Sequence, residues 1–345
     1  MKYIIVTGGL GYIGSITVVQ LIRAGYRPII FDNLDNSSIT IIDTIYTITG
    51  VDVIFNKVDI SSTNVLSVMK QYETLNIVGI IHFAALKSVS ESIRNPLQYY
   101  HNNINGLLHM LTIMKTYKIG TFIFSSSATV YSKANTLPFA ENQIVGTNLS
   151  CPYGRTKYFC EEILNDFHIA YPCKKILLLR YFNPIGSDNT YTLGDNPGHK
   201  AENLFPIIKE VIEHKRKLLY IYGNTYNTKD GTPERDYIHI EDLSRGHILG
   251  LQFLLNQSGG IIEYINLGEG KATSVMEIIK GFKEFCNIDI PYAYKEKRTG
   301  DLETVYANCD KANRLLGWTT QKTLQDSITS YVKFIHKRKK NIYVI

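Results

Sequence analysis

The sequence predicts an α/β protein in which a doubly wound parallel sheet is joined to a smaller, interleaved α/β substrate domain. Three observations predict it. A glycine-rich turn sits directly behind a short apolar strand, strand and helix patterns alternate up to residue 183, and Pro and Gly then break the alternation through Gly198. At 345 residues the chain is long for one core and comfortable for two domains that share a cleft.

The first element is a buried strand from Lys2 to Val6, where Tyr3-Ile4-Ile5-Val6 is β-prone and free of polar interruption. Thr7-Gly8-Gly9-Leu10-Gly11-Tyr12-Ile13-Gly14 follows, and Ser15 to Ala24 has helical periodicity that stops at Gly25. In such a turn Gly8 permits the tight bend, Gly11 lets the backbone approach a pyrophosphate, and Gly14 lets helix and strand pack closely. The helix start then aims its free N–H groups at phosphate. Glycine spacing alone is a weak signal, and its surroundings strengthen it. A second strand, Pro28–Phe31, ends at Asp32, where a carboxylate suits a ribose diol and disfavours a 2′-phosphate. The pattern is a Rossmann-type one, and the expected cofactor is NAD rather than NADP. The competing reading of Asp32 is a strand-end cap on the Asn33–Ser38 turn.

Val53–Lys57 reads as the next strand and leads to Asp59-Ile60, a pair placed to flank an adenine ring. Val78–Phe83 follows, ending in Ala84-Ala85, and a helix around Asn102–Tyr117 precedes the strand Thr121–Ser125. Beyond Tyr181-Phe182-Asn183-Pro184 the regular alternation fades. The cofactor domain is therefore set at residues 1–183, with 236–268 returning to it and Glu263–Leu267 adding a strand. Residues 184–235 and 269–345 are assigned to the substrate domain.

Composition narrows the functional classes. Hydrophobic residues at 44% and charged residues at 20% are ordinary for a globular chain and argue against disorder. The net charge of +6 is modest and suits an anionic substrate; the run Lys337-Arg338-Lys339-Lys340 is read as a solvated end rather than a nucleic-acid arm. Five cysteines without C-x-x-C pairing favour a reducing compartment, and no histidine sits in an H-E-x-x-H pattern, so no metal is expected. No apolar run approaches ~18 residues and Met1 leads straight into a strand, so no membrane association is expected and the location is taken as cytosolic.

The chemistry is expected after Thr121-Phe122-Ile123-Phe124, in Ser125-Ser126-Ser127-Ala128-Thr129-Val130-Tyr131 and in Tyr153-Gly154-Arg155-Thr156-Lys157. Tyr153 and Lys157 stand at i and i+4, on one helical face. A phenol with an ordinary pKa near ~10 is a poor base at neutral pH. A nearby ammonium and a cationic nicotinamide are expected to stabilise its phenolate. Ser127, at a strand end, is placed to hydrogen-bond a substrate hydroxyl and share its proton.

At these residues the chain resembles the extended short-chain dehydrogenase/reductase family and, within it, the UDP-glucose 4-epimerases. The resemblance runs through TGGLGYIGS (Thr7–Ser15), DNLDNS (Asp32–Ser37), IHFAALKSV (Ile81–Val89), YYHNNINGL (Tyr99–Leu107), FIFSSSATVY (Phe122–Tyr131), CPYGRTK (Cys151–Lys157), LLRYFNPIG (Leu178–Gly186), DGTPERDYIH (Asp230–His239) and RTGDL (Arg298–Leu302). It implies a reversible oxidation at sugar C4, with Ser127, Tyr153 and Lys157 catalytic and NAD held throughout. It puts Gly8, Gly11, Tyr12, Ile13, Gly14, Asp32, Asn33, Asn36, Ser37, Asp59, Ile60, Phe83, Ala84, Ala85, Lys87, Asn102, Ser125 and Tyr181 at the cofactor. Alternative readings make Phe83 a residue closing the sheet, Lys87 a solvated loop charge and Asn102 a helix cap.

For the UDP-hexose the resemblance implies Lys87, Ser127, Thr129, Tyr153, Phe182, Asn183, Asn203, Leu204, Tyr220, Tyr222, Arg235, Arg298, Asp301 and Val305. Two arginines suit a pyrophosphate, which a guanidinium grips bidentately. For Tyr220 and Tyr222 the competing reading is core packing of a strand, and His239 is read as structural. The family also implies a homodimer pairing the helices around Asn102–Tyr117 and Tyr153–Tyr171. Nucleotide-sugar dehydratases carry Thr-Asp-Glu where this chain has Ser127-Ala128-Thr129, so the acid and base that eliminate water are missing. UDP-glucuronate 4-epimerase and a non-catalytic NAD-binding scaffold stay open as alternatives. The chain departs from the family at Ile16, where histidine is usual, at Ser132, where glycine is usual, and at Lys200-Ala201-Glu202. Val305 matches a tyrosine in members restricted to glucose and galactose, and a smaller residue in members that also take N-acetyl sugars.

Overall fold

The computed structural model describes residues 1–198, 201–298 and 301–342, the side chains of 339–342 excepted. Lys200, Thr299 and Gly300 of the motifs above, and the side chains of Lys339 and Lys340, lie outside the described residues.

In chain order the first half runs β1 (Tyr3–Thr7), α1 (Tyr12–Arg23), β2 (Arg27–Asp32), α2 (Ile41–Thr49), β3 (Ile54–Lys57), α3 (Asn64–Met69), β4 (Ile77–His82), α4 (Val89–Arg94), α5 (Pro96–Thr116), β5 (Thr121–Ser127), α6 (Pro152–Ala170) and β6 (Lys175–Tyr181). The second half adds β7 (Asn183–Ile185), α7 (Leu204–Ile212), β8 (Leu219–Tyr222), β9 (Glu234–Arg235), β10 (Tyr237–His239), α8 (Ile240–Asn256) and β11 (Ile261–Leu267). It closes with β12 (Thr273–Ser274), α9 (Val275–Cys286), β13 (Tyr292–Lys295), β14 (Thr304–Val305), α10 (Asp310–Leu316) and α11 (Leu324–Ile342).

Seven strands form one parallel sheet in the order β11-β6-β5-β4-β1-β2-β3. The order reverses between β1 and β4, and crevices for ligands open at such a reversal, beyond the carboxyl ends of the strands. The Rossmann-type, doubly wound class is thus present, and β11 joins β6 where Glu263–Leu267 was expected to add a strand. Buried apolar strands follow from helices on both faces. One core packs α1 and α8 on the sheet through Ile16, Val19, Leu243, Leu251 and Trp318, and the other packs α3, α5 and α6 through Met69, Leu107, Met114 and Leu164.

A separate core gathers Phe205, Ile208, Ile221, Phe282, Ile328 and Tyr331 from α7, β8, α9 and α11. α9 starts on a capping box in which Ser274 and Glu277 satisfy each other's backbone N–H. β13 pairs with β8, β14 with β9, and β10 with β7. The basic run near the end is no free arm: Lys337 and Arg338 belong to α11, where Lys337 Nζ donates to the Thr190 carbonyl.

Element edges differ from the sequence expectation where side-chain and backbone needs compete. The second long helix starts at Pro96 rather than Asn102, because proline at the first helical position gives up an N–H with no intrahelical partner. Asn102 is therefore inside α5, and its reading as a cap is wrong. β5 runs two residues past Ser125, so all three serines belong to the strand. Among the described residues no helix is long and apolar enough to cross a membrane.

Candidate active site

The glycine turn has the steric character the sequence implied. Gly8 has φ +66, and a Cβ on it would stand 2.8 Å from the Ala84 nitrogen at the end of β4. A Cβ on Gly14 would stand 2.1 Å from the Gly8 carbonyl oxygen, so any side chain there forces α1 away from β1. The start of α1 is bare. Gly11 is its N-cap, no side chain caps it, and its first turn holds no acid. That bareness leaves N–H groups and the positive end of the helix dipole for an anion. The cradle and the open helix end fit a dinucleotide pyrophosphate.

Asp32, at the end of β2, is 7% exposed and answers both readings of it. Its Oδ2 accepts from Leu10 N at 3.0 Å, and its Oδ1 from Leu34 N and Ser37 Oγ at 2.9 Å. It caps the turn as the dull reading held, and one of about four lone-pair sites remains for a diol. Asn33 is exposed, and Asn36 Oδ1 accepts from Gly198 N at 2.9 Å. Tyr12 donates to the Gly186 carbonyl at 2.8 Å, while Ile13 packs into the sheet core. Asp59 caps its own turn through Ser61 at 2.8 Å. Ile60 points into the core against Gly106, so only its backbone is left to face an adenine.

Phe83 packs 4.8 Å from the His247 ring, Ala84 N donates to Thr7 Oγ1 at 3.2 Å, and Ala85 is half-buried. Lys87 is exposed on the loop after β4. Asn102 Nδ2 donates to Asn103 Oδ1 at 3.0 Å. Tyr181 lies 6% exposed with its hydroxyl hydrogen-bonded to His247 Nε2. Burial holds its phenol well above the ordinary range, and burial holds His247 down at about 4, so that imidazole is neutral.

Tyr153 and Lys157 meet the end of β5. Lys157 Nζ donates to the Ser125 carbonyl at 2.5 Å and lies 4.8 Å from the Phe124 ring centre. Ser127 hydrogen-bonds Tyr153, and Ser127 Oγ accepts from Thr129 N at 3.2 Å and Thr129 Oγ1 at 3.0 Å. Gly154 lets α6 come this close, because a Cβ there would stand 2.9 Å from the Thr129 carbonyl oxygen. Burial pushes Tyr153 up to about 12, against the Ser127 hydrogen bond, which lowers it. Lys157 itself is pulled down to about 8, chiefly by burial. The ammonium reaches across to the carbonyl at the end of β5.

On the far side, Arg235 Nη2 pairs with Asp301 Oδ1 at 2.5 Å, and the Arg298 guanidinium lies 4.0 Å from the Tyr222 ring centre. β8 points Leu219 and Ile221 inward and leaves Tyr220 exposed, with Lys295 Nζ 3.7 Å from its ring centre. The core reading of Tyr220 is thereby overturned, while Tyr222 is half-buried. Val305 stands opposite Arg235 in the β14–β9 pairing and packs against the cluster of Tyr131, Phe139, Phe182 and Ala307. Asn183 is exposed, with its N–H on the Asp236 carbonyl. Asn203 is the bare, exposed N-cap of α7, followed by half-buried Leu204. His239 caps α8 by accepting from Glu241 N at 3.1 Å, the structural part expected of it. Among the described residues no cluster of His, Cys, Asp or Glu is arranged for a metal.

Residues 5–331 match the family model described as GDP-mannose 4,6 dehydratase. The chain is 43% identical over 324 residues to the UDP-glucose 4-epimerase of Dictyostelium discoideum, covering 94% of this chain and 92% of that one. The chain belongs to the UDP-glucose 4-epimerase family. The UDP-glucose 4-epimerase of Bifidobacterium longum, solved in complex with NAD+ and UDP, matches with a TM-score of 0.92 at 38% identity, covering 98% of this chain and 99% of that one. The UDP-Glc/GlcNAc 4-epimerase of Campylobacter jejuni matches with a TM-score of 0.82 at 30% identity, covering 98% and 100%.

Within this epimerase family the chain's departures have local causes. Ile16 is 2% exposed in the sheet core, and Ser132 Oγ accepts from Ala134 N at 3.3 Å in a tight turn. Glu202 binds Ser88, the N-cap of α4, and pairs with Arg94 at 3.5 Å. Sequence reasoning also missed Asn103. Its side chain accepts from Leu86 N at 2.8 Å and donates to the Leu86 carbonyl and to Thr156 Oγ1, fixing the loop after β4 to α6. An asparagine buried in an amphipathic helix was the available signal.

Proposed function

We propose that this chain is an NAD-dependent epimerase that interconverts UDP-glucose and UDP-galactose by transient oxidation at C4, the whole chemistry resting on Ser127, Tyr153 and Lys157. The observation that carries this reading is the joining of α6 to the end of β5, Tyr153 with Ser127 and Lys157 with Ser125, beside the glycine cradle. The identity to UDP-glucose 4-epimerases and the absence of a carboxylate at Ala128 and Thr129 support epimerisation over dehydration.

Gly8, Gly11, Gly14 and Asp32 would hold NAD, which when bound supplies a hydride acceptor at the sugar C4 and a donor for the return. Tyr153 takes the proton of the 4-hydroxyl and later gives it back. Ser127 donates to the oxygen that carries the charge, and Lys157 contributes a cation to the same closed space. Lys157 is buried and Tyr153 half-buried, so the phenol keeps an open side toward a substrate. Arg235 and Arg298 are assigned to the pyrophosphate and Asp301 to the uridine ribose, with residues 1–183 and 236–268 as the cofactor half. The Arg235–Asp301 pair must then open to substrate.

Val305 is smaller than the tyrosine of members restricted to glucose and galactose, so UDP-N-acetylglucosamine is expected to turn over as well. Purified protein assayed with both UDP-glucose and UDP-N-acetylglucosamine, with a spectrum for retained NAD, decides this. Turnover of neither sugar sinks the reading, and turnover of UDP-glucose alone sinks only the acetamido part.

We also propose a cytosolic homodimer. All five cysteines are free, as in a reducing compartment. α5 and α6 leave Leu97 81%, Leu108 43% and Phe159 42% exposed, an apolar face for a second copy. Light scattering is expected to give twice the chain mass, and Leu97→Glu with Phe159→Glu to return monomer. A monomer in the unmodified protein counts against it.

A further inference from the structure

We propose that Glu161 is a positioning residue of this reaction: paired with Arg180, it fixes the end of β5 against α6 so that Ser125 and Ser127 meet Lys157 and Tyr153. The proposal rests on the reading of Tyr153 and Lys157 as the reacting pair. Tyr153, Lys157 and Glu161 stand at i, i+4 and i+8, one face of α6. Each of the three holds one of three consecutive serines. Tyr153 meets Ser127, Lys157 Nζ meets the Ser125 carbonyl at 2.5 Å, and Glu161 Oε1 accepts from Ser126 Oγ at 2.5 Å. The face is thus sewn to the strand at every turn of the helix.

Glu161 is itself held. Arg180 stands opposite Ser126 in the β5–β6 pairing and donates Nε to Oε1 at 3.0 Å and Nη2 to Oε2 at 2.7 Å. The two side chains are 1% and 3% exposed. The guanidinium lies between the rings of Tyr131, at 5.0 Å, and Tyr264, at 4.8 Å. Its Nη1 donates to Tyr131 Oη at 3.2 Å, and Tyr131 donates to Asn266 Oδ1 at 2.6 Å. Tyr131 shares an apolar cluster with Phe182, and Val305 packs against that cluster, so the same pair is linked to the residues assigned to the sugar. A buried, bidentate pair of this kind defines geometry more than it adds stability.

The groups around Lys157 give the proposal its test. On its own helix these are Tyr153, Cys160 and Glu161; His82 faces it from β4, Phe124 and Ser125 from β5, and Arg180 stands behind Glu161 on β6. Burial pulls the ammonium down, and Cys160 and Glu161 work against that. His82 is held neutral, down at about 3, by burial and by Lys157. Removing the Glu161 charge favours proton loss from Lys157, and removing the Arg180 charge opposes it.

The experiment measures kcat, KM and the alkaline limb of kcat/KM for UDP-glucose in the NAD-loaded enzyme, for Glu161→Gln, Arg180→Met and the double variant. Glu161→Gln is expected to lower kcat roughly 10–100-fold with KM within about twofold, the cost of a misaligned reacting pair. Its alkaline limb moves to lower pH, that of Arg180→Met to higher pH, and the double variant returns toward wild type. Limbs that stay at the wild-type pH, or that move the same way in both single variants, overturn the proposal. Where a single variant fails to fold, the double variant decides, since a neutral pair avoids an uncompensated buried charge. A double variant with wild-type kcat overturns the proposal; a loss of kcat at unchanged KM supports it. Tyr153→Phe runs alongside. Activity in that variant fails the base reading, whereas its inactivity with an unaltered Glu161→Gln fails the positioning proposal alone.

Discussion

Tyr153→Phe is expected to cut epimerase turnover roughly 10²–10⁴-fold while the protein keeps its NAD and its fold. The substitution removes one oxygen. That oxygen is the proton acceptor for the sugar hydroxyl in the proposed reaction, and its protein partner is Ser127. The ring stays on α6 and the Lys157–Ser125 bond is untouched. Stability should change little, because a phenol that burial pushes to about 12 is neutral at pH 7 in either state. The checks are kcat, the absorbance of retained NAD and the melting temperature. Full turnover in the phenylalanine variant would place the base elsewhere.

Lys157→Met is expected to be as severe for turnover, roughly 10²–10⁴-fold, yet mild for stability at pH 7. The wild-type side chain is 3% exposed and burial lowers it from 10.5 to about 8. Below about 8 the folded protein must carry a buried ammonium, at a cost of about 3 kcal/mol for that displacement. Between about 8 and 10.5 the folded state has lost this proton while the unfolded state keeps it, so stability rises with pH in that window. Methionine does not titrate. Losing the bond to Ser125 leaves a carbonyl unsatisfied at about 1–3 kcal/mol, which nearly offsets the relief at pH 7. Cofactor-free wild type should therefore gain melting temperature over the variant as pH rises from 7.5 to 9.5. A gap that is constant or shrinks over that range counts against the buried-ammonium account.

Much of this was legible in the sequence, and the reasons are physical. The glycines at 8, 11 and 14 are required by backbone approach, so their spacing between a strand and a helix announced the cradle. The Tyr153–Lys157 interval announced a shared helical face. What stayed hidden depends on partners distant in the chain. The carbonyl that Lys157 Nζ binds belongs to Ser125, 32 residues away. Asn102 was allowed to be a cap because the pattern did not show that α5 begins at Pro96. Tyr220 and Tyr222 were liable to a core reading because alternation identifies two faces without saying which is inside, and Leu219 and Ile221 took the inner one. Nothing in the sequence singles out Glu161, because the Arg180 that pairs with it in the interior lies on another element.

The two bonds that Thr129 makes to Ser127 have a directional consequence. A hydroxyl oxygen has two lone pairs, and both on Ser127 are occupied by the N–H and O–H of Thr129. Its single proton can then only point outward, so Ser127 cannot receive a proton from Tyr153 and can only lend one. The relay is polarised. The proton it lends is held more strongly by an ionised Tyr153 oxygen than by a neutral one, so a pair of ordinary loop contacts works against the burial that pushes the phenol up to about 12.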